Sequence, residues 1–301
     1  MNRITRALLP LLALLLFLPF ACTERVSWEF PQFEPVPTVN AVLVAGEPFQ
    51  VHVSLTGKFD TVPLPTEKGA VVTLYANGEV YGTLDHIGNG LYASNLRVQP
   101  NVEYRCEVTI PGYVTVTTSC TVPKPVPIVG IKHTNRAGVD TEGLTYPSVS
   151  VTFPNRPSEI QYYEIKIYMI EYEDYTGTAS HYYISDPVLL SEGLPILVFS
   201  NVTIGGDEYT MTINYFTGSA EGSGGGVQTN LFPLFLELRT VCYNYYMHKR
   251  MLYLYDTGRY PEIIGGVVTP FPLHSNVEGG YGIFGGYSSV FSETIYPNAN
   301  E

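Results

Sequence analysis

Short segments in which apolar and polar residues alternate recur along most of this chain. Residues 49–55 show the pattern, and residues 149–153 and 163–169 repeat it. Alternation with a period of two is typical of strands that bury one face of a sheet and expose the other to water. The pairs Asn77-Gly78 and Asn89-Gly90 are residues that two-residue hairpin turns favour. The sequence therefore predicts a mostly β fold with antiparallel strands.

A proline-containing segment divides this pattern into two parts. Pro125 and Pro127 resist both helix formation and sheet pairing, so residues 124–127 are predicted to be a linker. About six or seven short strands fit into residues 39–123, which suits an immunoglobulin-like or transthyretin-like sandwich. Residues 128–297 are predicted to form a second antiparallel β-sandwich, so that two such domains follow each other.

The spacing of large side chains changes near residues 240–257. Apolar and aromatic residues recur there every three or four positions, as they do on one face of a helix. These residues are Val241, Tyr245, His248, Leu252 and Tyr255. Thr240 is an acceptable N-cap and Gly258 an acceptable end. One helix is therefore predicted near 240–257, packed against the second sandwich.

Residues 1–21 have the organisation of a secretory signal peptide. Arg3 and Arg6 lie near the start, an apolar run covers residues 7–20, and the small residue Ala21 follows. This run is shorter than the ~20 residues that a membrane-spanning helix needs. Residues 1–21 are therefore predicted to be removed on export.

Cys22 would be the first residue after this cleavage. A cysteine at that position resembles the lipobox of bacterial lipoproteins, with Pro19 where the pattern has leucine. The resemblance implies lipidation of the Cys22 thiol, with acyl chains such as palmitate, and attachment to a membrane surface. Soluble secretion is the alternative. Residues 22–38 are rich in proline and are predicted to be an extended tether.

The charge balance excludes two kinds of partner. The formal net charge is −12, and removal of Arg3 and Arg6 with the signal peptide brings it to about −14. The sequence has no stripe of basic residues that could bind nucleic acid or anionic lipid headgroups. Membrane attachment is therefore expected through the lipid anchor, and nucleic acid is not expected as a partner.

Two cysteines are candidates for a disulfide. Strand parity places Cys106 and Cys120 on the same face of two strands that flank the Pro111-Gly112 turn. A hairpin centred near Tyr113 would set the two sulfurs opposite each other, close enough for a bridge in an oxidising compartment. Two buried thiols that never bond fit the sequence equally well. Cys242 has no partner in this pattern and is predicted to be buried.

Glycines near the C-terminus match a nucleotide-binding pattern in spacing only. Gly280, Gly282 and Gly285 give G-x-G-x-x-G, but a turn-and-strand sequence follows instead of an amphipathic helix. We therefore interpret them as positions of unusual φ and close backbone approach. A surface recognition loop is the second interpretation.

The chain carries no recognisable catalytic or metal-binding motif. Its six histidines lie far apart without zinc-binding spacing, and no nucleophile motif is present. Acidic residues cluster at 171–174 and 207–208, where carboxylates could pair for hydrolysis or bind calcium. Solvated turn charges are the simpler interpretation. No catalytic residue, metal or cofactor is therefore predicted.

The second domain contains more tyrosines than one face of a sheet can bury. Neighbours on a strand point to opposite sides, so some rings must be exposed, where they could contact a sugar or a protein. The candidate contact surface consists of Tyr162, Tyr172, Tyr175, Tyr182, Tyr183, Phe284 and Tyr287. Ordinary packing within β-sheets is the alternative role for these residues.

Three blocks of sequence carry a resemblance to a known family. They are residues 51–56; residues 69–74 with 88–92 and 112–113; and Pro270-Phe271 followed by residues 275–288. On these blocks the chain resembles the Bacteroidetes-type lipoproteins of domain-of-unknown-function family 4249, whose members are often encoded beside TonB-dependent receptors. The resemblance implies an accessory protein of the outer membrane and supplies no established reaction or ligand.

The leading hypothesis is a non-enzymatic lipoprotein of the outer membrane that captures a ligand for a TonB-dependent receptor or stabilises that receptor. The first alternative is a surface-attached hydrolase that uses carboxylates of the tyrosine-rich domain. The second alternative is an adhesin-like structural module. The periplasmic and the cell-surface leaflet both fit the sequence, and the identity of the ligand is left open.

Overall fold

The computed structural model describes residues 33–58, 65–172, 175–221, 227–258 and 272–297. Within these ranges the chain forms nineteen strands and two helices, so the prediction of a mostly β fold is confirmed. From Pro35 onward the described residues belong to one compact unit. Neither helix in the described part of the chain is long and apolar enough to cross a membrane.

Seven strands precede the proline-containing segment. They are β1 (Pro37–Val44), β2 (Pro48–Leu55), β3 (Val71–Ala76), β4 (Glu79–Gly88), β5 (Leu91–Arg97), β6 (Val102–Thr109) and β7 (Val116–Val122). The predicted turn at Asn77-Gly78 joins β3 to β4, and the one at Asn89-Gly90 joins β4 to β5. Both asparagines adopt positive φ, at 50° for Asn77 and 49° for Asn89, as this type of hairpin turn requires.

Twelve strands and both helices follow that segment. The strands are β8 (Gly130–Val139), β9 (Thr145–Pro154), β10 (Tyr162–Tyr172), β11 (Tyr175–Thr178), β12 (Tyr182–Tyr183), β13 (Val198–Ser200), β14 (Glu208–Tyr215), β15 (Ser219–Glu221), β16 (Val227–Thr229), β17 (Leu234–Val241), β18 (Val277–Glu278) and β19 (Phe284–Phe291). The helices are α1 (Pro187–Glu192) and α2 (Tyr243–Gly258).

Helix α2 is the helix that the sequence predicts near 240–257, but it begins three residues later. Thr240 does not cap it, because this residue is part of β17. The Thr240 hydroxyl instead accepts a hydrogen bond from the backbone N–H of Val126 at 3.1 Å. The side chain is therefore used to hold the proline-containing segment against β17.

The first hydrophobic core lies between strands that precede the proline-containing segment. Strands β1, β2, β5, β4, β3, β6 and β7 hydrogen-bond to one another in that order. Their inward side chains, such as Phe49, Leu74 and Tyr104, are almost completely buried. Val277 and Phe284, which come from the C-terminal part of the chain, complete this core.

The second hydrophobic core lies between two layers of sheet. Strands β12, β14, β9 and β8 form one layer, and strands β10 and β17 contribute to the other. Phe153 and Ile213 from the first layer pack against Ile167 and Leu236 from the second. Two cores on the two sides of residues 124–127 agree with a two-part organisation. The immunoglobulin-like identity and the boundaries 39–123 and 128–297 stay predictions.

Strand β19 connects the sheets of the two parts. It pairs in parallel with β1, where Ala41 faces Phe284, and antiparallel with β17, where Val241 faces Tyr287. These pairings make one continuous thirteen-stranded sheet that contributes to both cores. Strand β19 is therefore part of the structure both of the segment before residues 124–127 and of the segment after them.

The glycines before β19 allow its approach to β1. Gly282 adopts a φ of +125°, and a Cβ atom at this position would collide with the carbonyl oxygen of Val39. A Cβ atom at Gly280 would lie 2.5 Å from the carbonyl oxygen of Pro37. The interpretation of these glycines as positions of close backbone approach is confirmed.

Candidate functional site

Strand parity sorts the side chains of β10 and β17 onto two faces. Ile165 and Ile167 enter the second core, whereas Glu164, Lys166 and Tyr168 alternate with them and lie on the opposite face. Glu237 and Arg239 of β17 lie on this same opposite face, next to them in the antiparallel register. Helix α2 packs over that face and buries these charged side chains as a cluster.

Arg239 is the centre of this cluster. Its guanidinium donates to Glu164 Oε2 at 2.9 Å through Nη1 and to Glu237 Oε2 at 2.8 Å through Nη2. The side chains of all three residues are at most 10% exposed. Charged groups removed from water to this degree need partners, and here two carboxylates share one guanidinium.

Residues of α2 and neighbouring tyrosines complete the cluster. The Tyr245 hydroxyl donates to Glu164 Oε2 at 2.7 Å, and Lys249 Nζ lies 3.2 Å from Glu164 Oε1. The Tyr168 hydroxyl donates to Glu237 Oε2 at 2.8 Å. The Tyr287 ring lies over the guanidinium of Arg239, with its centroid 4.3 Å from Cζ.

These contacts favour the charged forms of both Glu237 and Arg239. Burial alone would raise the pKa of Glu237, but hydrogen bonds from Arg239 and Tyr168 outweigh it and hold the pKa below its usual value. Burial alone would lower the pKa of Arg239, but its hydrogen bond to Glu237 and the nearby Tyr245 and Glu164 raise it. Both groups are therefore charged at neutral pH.

A second ion pair fastens α1 to α2. Arg250 Nη1 donates to Glu192 Oε2 at 2.7 Å, and Arg250 Nη2 donates to the backbone oxygen of Glu192 at 2.8 Å. The Tyr246 hydroxyl donates to Glu192 Oε2 at 2.6 Å. The other carboxylate oxygen accepts from the backbone and the hydroxyl of Ser200. This pair fixes the position of α2 on the sheet.

A cavity of about 330 Å³ lies between α2, β10 and the segment that enters β13. Glu164 and Lys166 line it from β10, and Lys249 and Tyr253 line it from α2. Its other walls include Tyr182 and the apolar residues Pro195, Ile196 and Leu252. Burial, followed by the proximity of Arg239, lowers the pKa of Lys166. A cavity that combines apolar walls with a few charged groups has the character of a small-molecule site.

A second cavity, of about 460 Å³, lies beside the beginning of α2. It is lined by residues from both parts of the chain, among them Cys120, Lys124, Tyr162 and Cys242. The charged residues described in its wall are Lys124, which is exposed, and the pair Arg156 and Glu159, whose side chains are 66% and 59% exposed. Exposed charges of this kind bind weakly, so the cavity lined by Lys166 is the stronger candidate.

The residues of the predicted contact surface lie in different environments in the structure. Tyr162 and Tyr182 line the two cavities, and Tyr175 is exposed. The Tyr183 ring stacks on Tyr146 with centroids 4.3 Å apart. The side chain of Tyr172 lies outside the described residues.

Phe284 is a wrong member of that predicted surface, because it is completely buried in the first core, where its strand pairs directly with β1. Tyr287 is half-buried and lies between the guanidinium of Arg239 and the ring of Tyr245.

Of the two alternatives for Cys106 and Cys120, the structure has the two buried thiols that are not bonded to each other. In the register of β6 and β7, Cys106 faces Thr118 and Cys120 faces Tyr104, so the two cysteines are diagonal rather than opposite. Cys106, Cys120 and Cys242 are all present as free thiols. The partner in contact with Cys120 is Cys242, which the sequence had left without one. Cys22, the predicted lipidation site, lies outside the described residues.

Sequence reasoning missed the charged cluster, although a signal for it exists. Glu237 and Arg239 interrupt the otherwise apolar strand β17, and Glu164 and Lys166 alternate with core residues of β10. Charges at alternating positions normally mark a solvated face. Only the packing of α2 makes this face an interior one, and α2 directly follows β17 but is distant in sequence from β10. Among the described residues, no three histidine, cysteine or acidic side chains are arranged to hold a metal ion.

The fold and the site define a mostly β protein with large antiparallel sheets and a helix-flanked cavity that contains charged groups. The chain belongs to the family described as Domain of unknown function (DUF4249), which matches residues 23–292. The family membership implied by the sequence resemblance is thereby confirmed. Comparison with curated proteins finds no match.

Proposed function

We propose that this chain is a lipid-anchored protein of the outer membrane that captures a small ligand as the partner of a TonB-dependent receptor. The observation that carries ligand capture is the cavity of about 330 Å³ beside α2, where charged groups, tyrosine rings and aliphatic side chains converge. Lys249 of the helix that covers it pairs with Glu164 of the sheet, and Arg250 of the same helix pairs with Glu192 of α1, so the cavity is pre-formed.

The chemistry of the buried carboxylates supports binding rather than hydrolysis. A glycosidase-type acid needs a carboxyl group whose pKa is raised, so that it can donate a proton near neutral pH. The pKa of Glu237 is instead lowered, and Glu164 and Glu237 both bind the same guanidinium. We therefore propose that the protein has no catalytic activity.

The proposed location rests on the sequence of the N-terminus. The segment that ends at Cys22 has the organisation of a lipoprotein signal, and the proline-rich residues 23–38 would separate the first sandwich from the membrane. The strongly acidic chain has little electrostatic attraction to an anionic membrane surface. Attachment through acyl chains is the mechanism consistent with both features.

Purification from detergent-solubilised membranes at native expression tests this function. We expect a TonB-dependent receptor to co-purify with the wild-type chain, and mass spectrometry to find Cys22 acylated. The matched control is Cys22→Ser, which should be released from the membrane and should no longer recover the receptor. Recovery of an unlipidated, soluble wild-type chain without any receptor would contradict the proposal. Protease treatment of intact cells then distinguishes the cell-surface leaflet from the periplasmic one.

A further inference from the structure

Lys166 is the charged group of the cavity beside α2 whose ammonium lacks a partner. Among the described residues its ammonium makes no hydrogen bond or ion pair, whereas Lys249 on the facing helix is 3.2 Å from Glu164. The Lys166 side chain is half-buried and lines the cavity. Glu164 and Glu237 attract this ammonium and Arg239 and Lys249 repel it, but none of the four bonds to it directly. A bound anion in direct contact with the ammonium would therefore reduce the cost of its burial.

Neighbouring carboxylates are already engaged. Glu164 is bound by Arg239, Tyr245 and Lys249, and Glu237 is bound by Arg239 and Tyr168. Asp256 is a further acid of the cavity wall, and it is exposed to water, so Lys166 and Lys249 are balanced in formal charge by Glu164 and Asp256. Among these described groups, Lys166 is the cation that makes no direct hydrogen bond or ion pair.

The remaining walls determine what kind of anion could fit. Pro195, Ile196 and Leu252 present aliphatic surface, and Tyr182 and Tyr253 present aromatic rings. A volume of about 330 Å³ is at the lower end of small-molecule sites. An inorganic anion would leave most of this apolar surface in contact with water, whereas an organic acid would cover it.

We propose that this cavity binds a small organic carboxylate with an aromatic or aliphatic body, and that Lys166 is the residue that pairs with the carboxylate group. The proposal rests on the ligand-capture function above and names the chemical class of its ligand. Lys249 lies on the opposite wall of the cavity, where its ion pair with Glu164 holds it in place.

Calorimetric titration of the purified chain with phenylacetate and octanoate tests the proposal, with phenylacetamide as the neutral analogue and inorganic phosphate as the small anion. We expect at least one carboxylate to bind, and phenylacetamide and phosphate to bind more weakly. Lys166→Met should weaken carboxylate binding by about tenfold or more, because a charged hydrogen bond is lost. Lys166→Arg, which keeps the charge, should retain it. Lys124→Met is the matched control, since Lys124 is an exposed lysine that lines the other cavity.

Three results would overturn the inference. They are the failure of both carboxylates to bind the wild-type chain, equal binding by Lys166→Met, and equal binding of phenylacetamide. Unfolding midpoints of the variants show whether each one is folded. This experiment and the co-purification test different proposals. Carboxylate binding without co-purification of a receptor would contradict only the receptor partnership. Co-purification of a receptor without carboxylate binding would contradict only the proposed class of ligand.

Discussion

The side chain of Cys242, at the start of helix α2, lies beside the thiol of Cys120 in strand β7. Cys242 directly precedes α2, and its sulfur also accepts the backbone N–H of Gly286 at 3.2 Å. The neighbouring Cys120 thiol is the largest influence on the pKa of Cys242 and lowers it to about 7. The Cys120 thiol itself donates to the backbone oxygen of Thr121 at 3.6 Å.

Oxidation should therefore link Cys120 to Cys242. Treatment with glutathione disulfide removes two protons and two electrons from the thiols and yields two molecules of glutathione. We expect peptide mapping without reductant to find this pair linked and Cys106 free, and the linked form to be more stable by about 2–4 kcal/mol. Cys106→Ser should leave the link intact and Cys242→Ser should abolish it. A linked peptide that contains Cys106 would contradict the assignment.

The position of one turn explains why Cys106 and Cys120 do not face each other. Gly112 adopts a φ of +86°, and the Tyr113 N–H donates to Ile110 O at 3.1 Å. The hairpin is thus centred on Gly112 rather than Tyr113, and a shift of one residue in the centre moves every cross-strand pairing by two. Composition shows that a turn is present, but the register depends on which residue takes the left-handed conformation.

Local patterns predicted local features correctly. The alternating residues of β2, β9 and β10 and the two Asn-Gly turns could be read directly, because a strand buries residues two apart and a hairpin needs positive φ. The parallel pairing of β19 with β1 could not be predicted in this way, since it joins opposite ends of the described chain. The buried cluster around Arg239 was missed because the alternation in β10 and β17 does not show that a helix covers their polar face.

Replacement of Arg239 by methionine should destabilise the protein severely. It leaves Glu164 and Glu237 buried without their shared partner, which typically costs about 3–5 kcal/mol. Arg156→Met is the matched control, because the pair of Arg156 with Glu159 is exposed and such pairs contribute roughly 0.5 kcal/mol. Urea unfolding monitored by circular dichroism gives both values. Equal losses in the two variants would show that the cluster is not a stabilising unit.

Acid should weaken the fold through Glu237. Because its pKa is lower in the folded state than in the unfolded state, its contribution is fully present above the unfolded pKa of about 4.3. The contribution is lost as the pH falls from there through the folded pKa. Glu237→Gln should therefore be less stable than wild type at pH 7 and lose less further stability towards pH 3. An equal loss of unfolding free energy between pH 7 and pH 3 in the two proteins, measured by urea unfolding, would contradict this assignment.

His248 should make stability depend on pH in a higher range. Burial lowers its pKa, and its Nδ1 has no hydrogen-bond partner among the described residues. The unfolded chain therefore binds the proton more readily, and stability falls as the pH drops below about 6.5, by at most about 1.4 kcal/mol per pH unit. His248→Asn should reduce this slope between pH 7 and pH 5. It should not abolish the slope, because the pKa values of His133 and His274 are lowered too.

A comparison of Gly282 with Gly46 distinguishes the need for a positive φ from the need for close backbone approach. Gly46 also has positive φ, at +89°, but a Cβ atom there would contact nothing within 4 Å, whereas at Gly282 it would collide with Val39 O. Gly46→Ala should cost about 1 kcal/mol for the backbone conformation alone. Gly282→Ala must in addition push β19 away from β1, so its cost in urea unfolding should exceed that of Gly46→Ala by about 2 kcal/mol or more. Equal costs would mean that the parallel pairing tolerates the added methyl group, and that the glycine is needed for its φ alone.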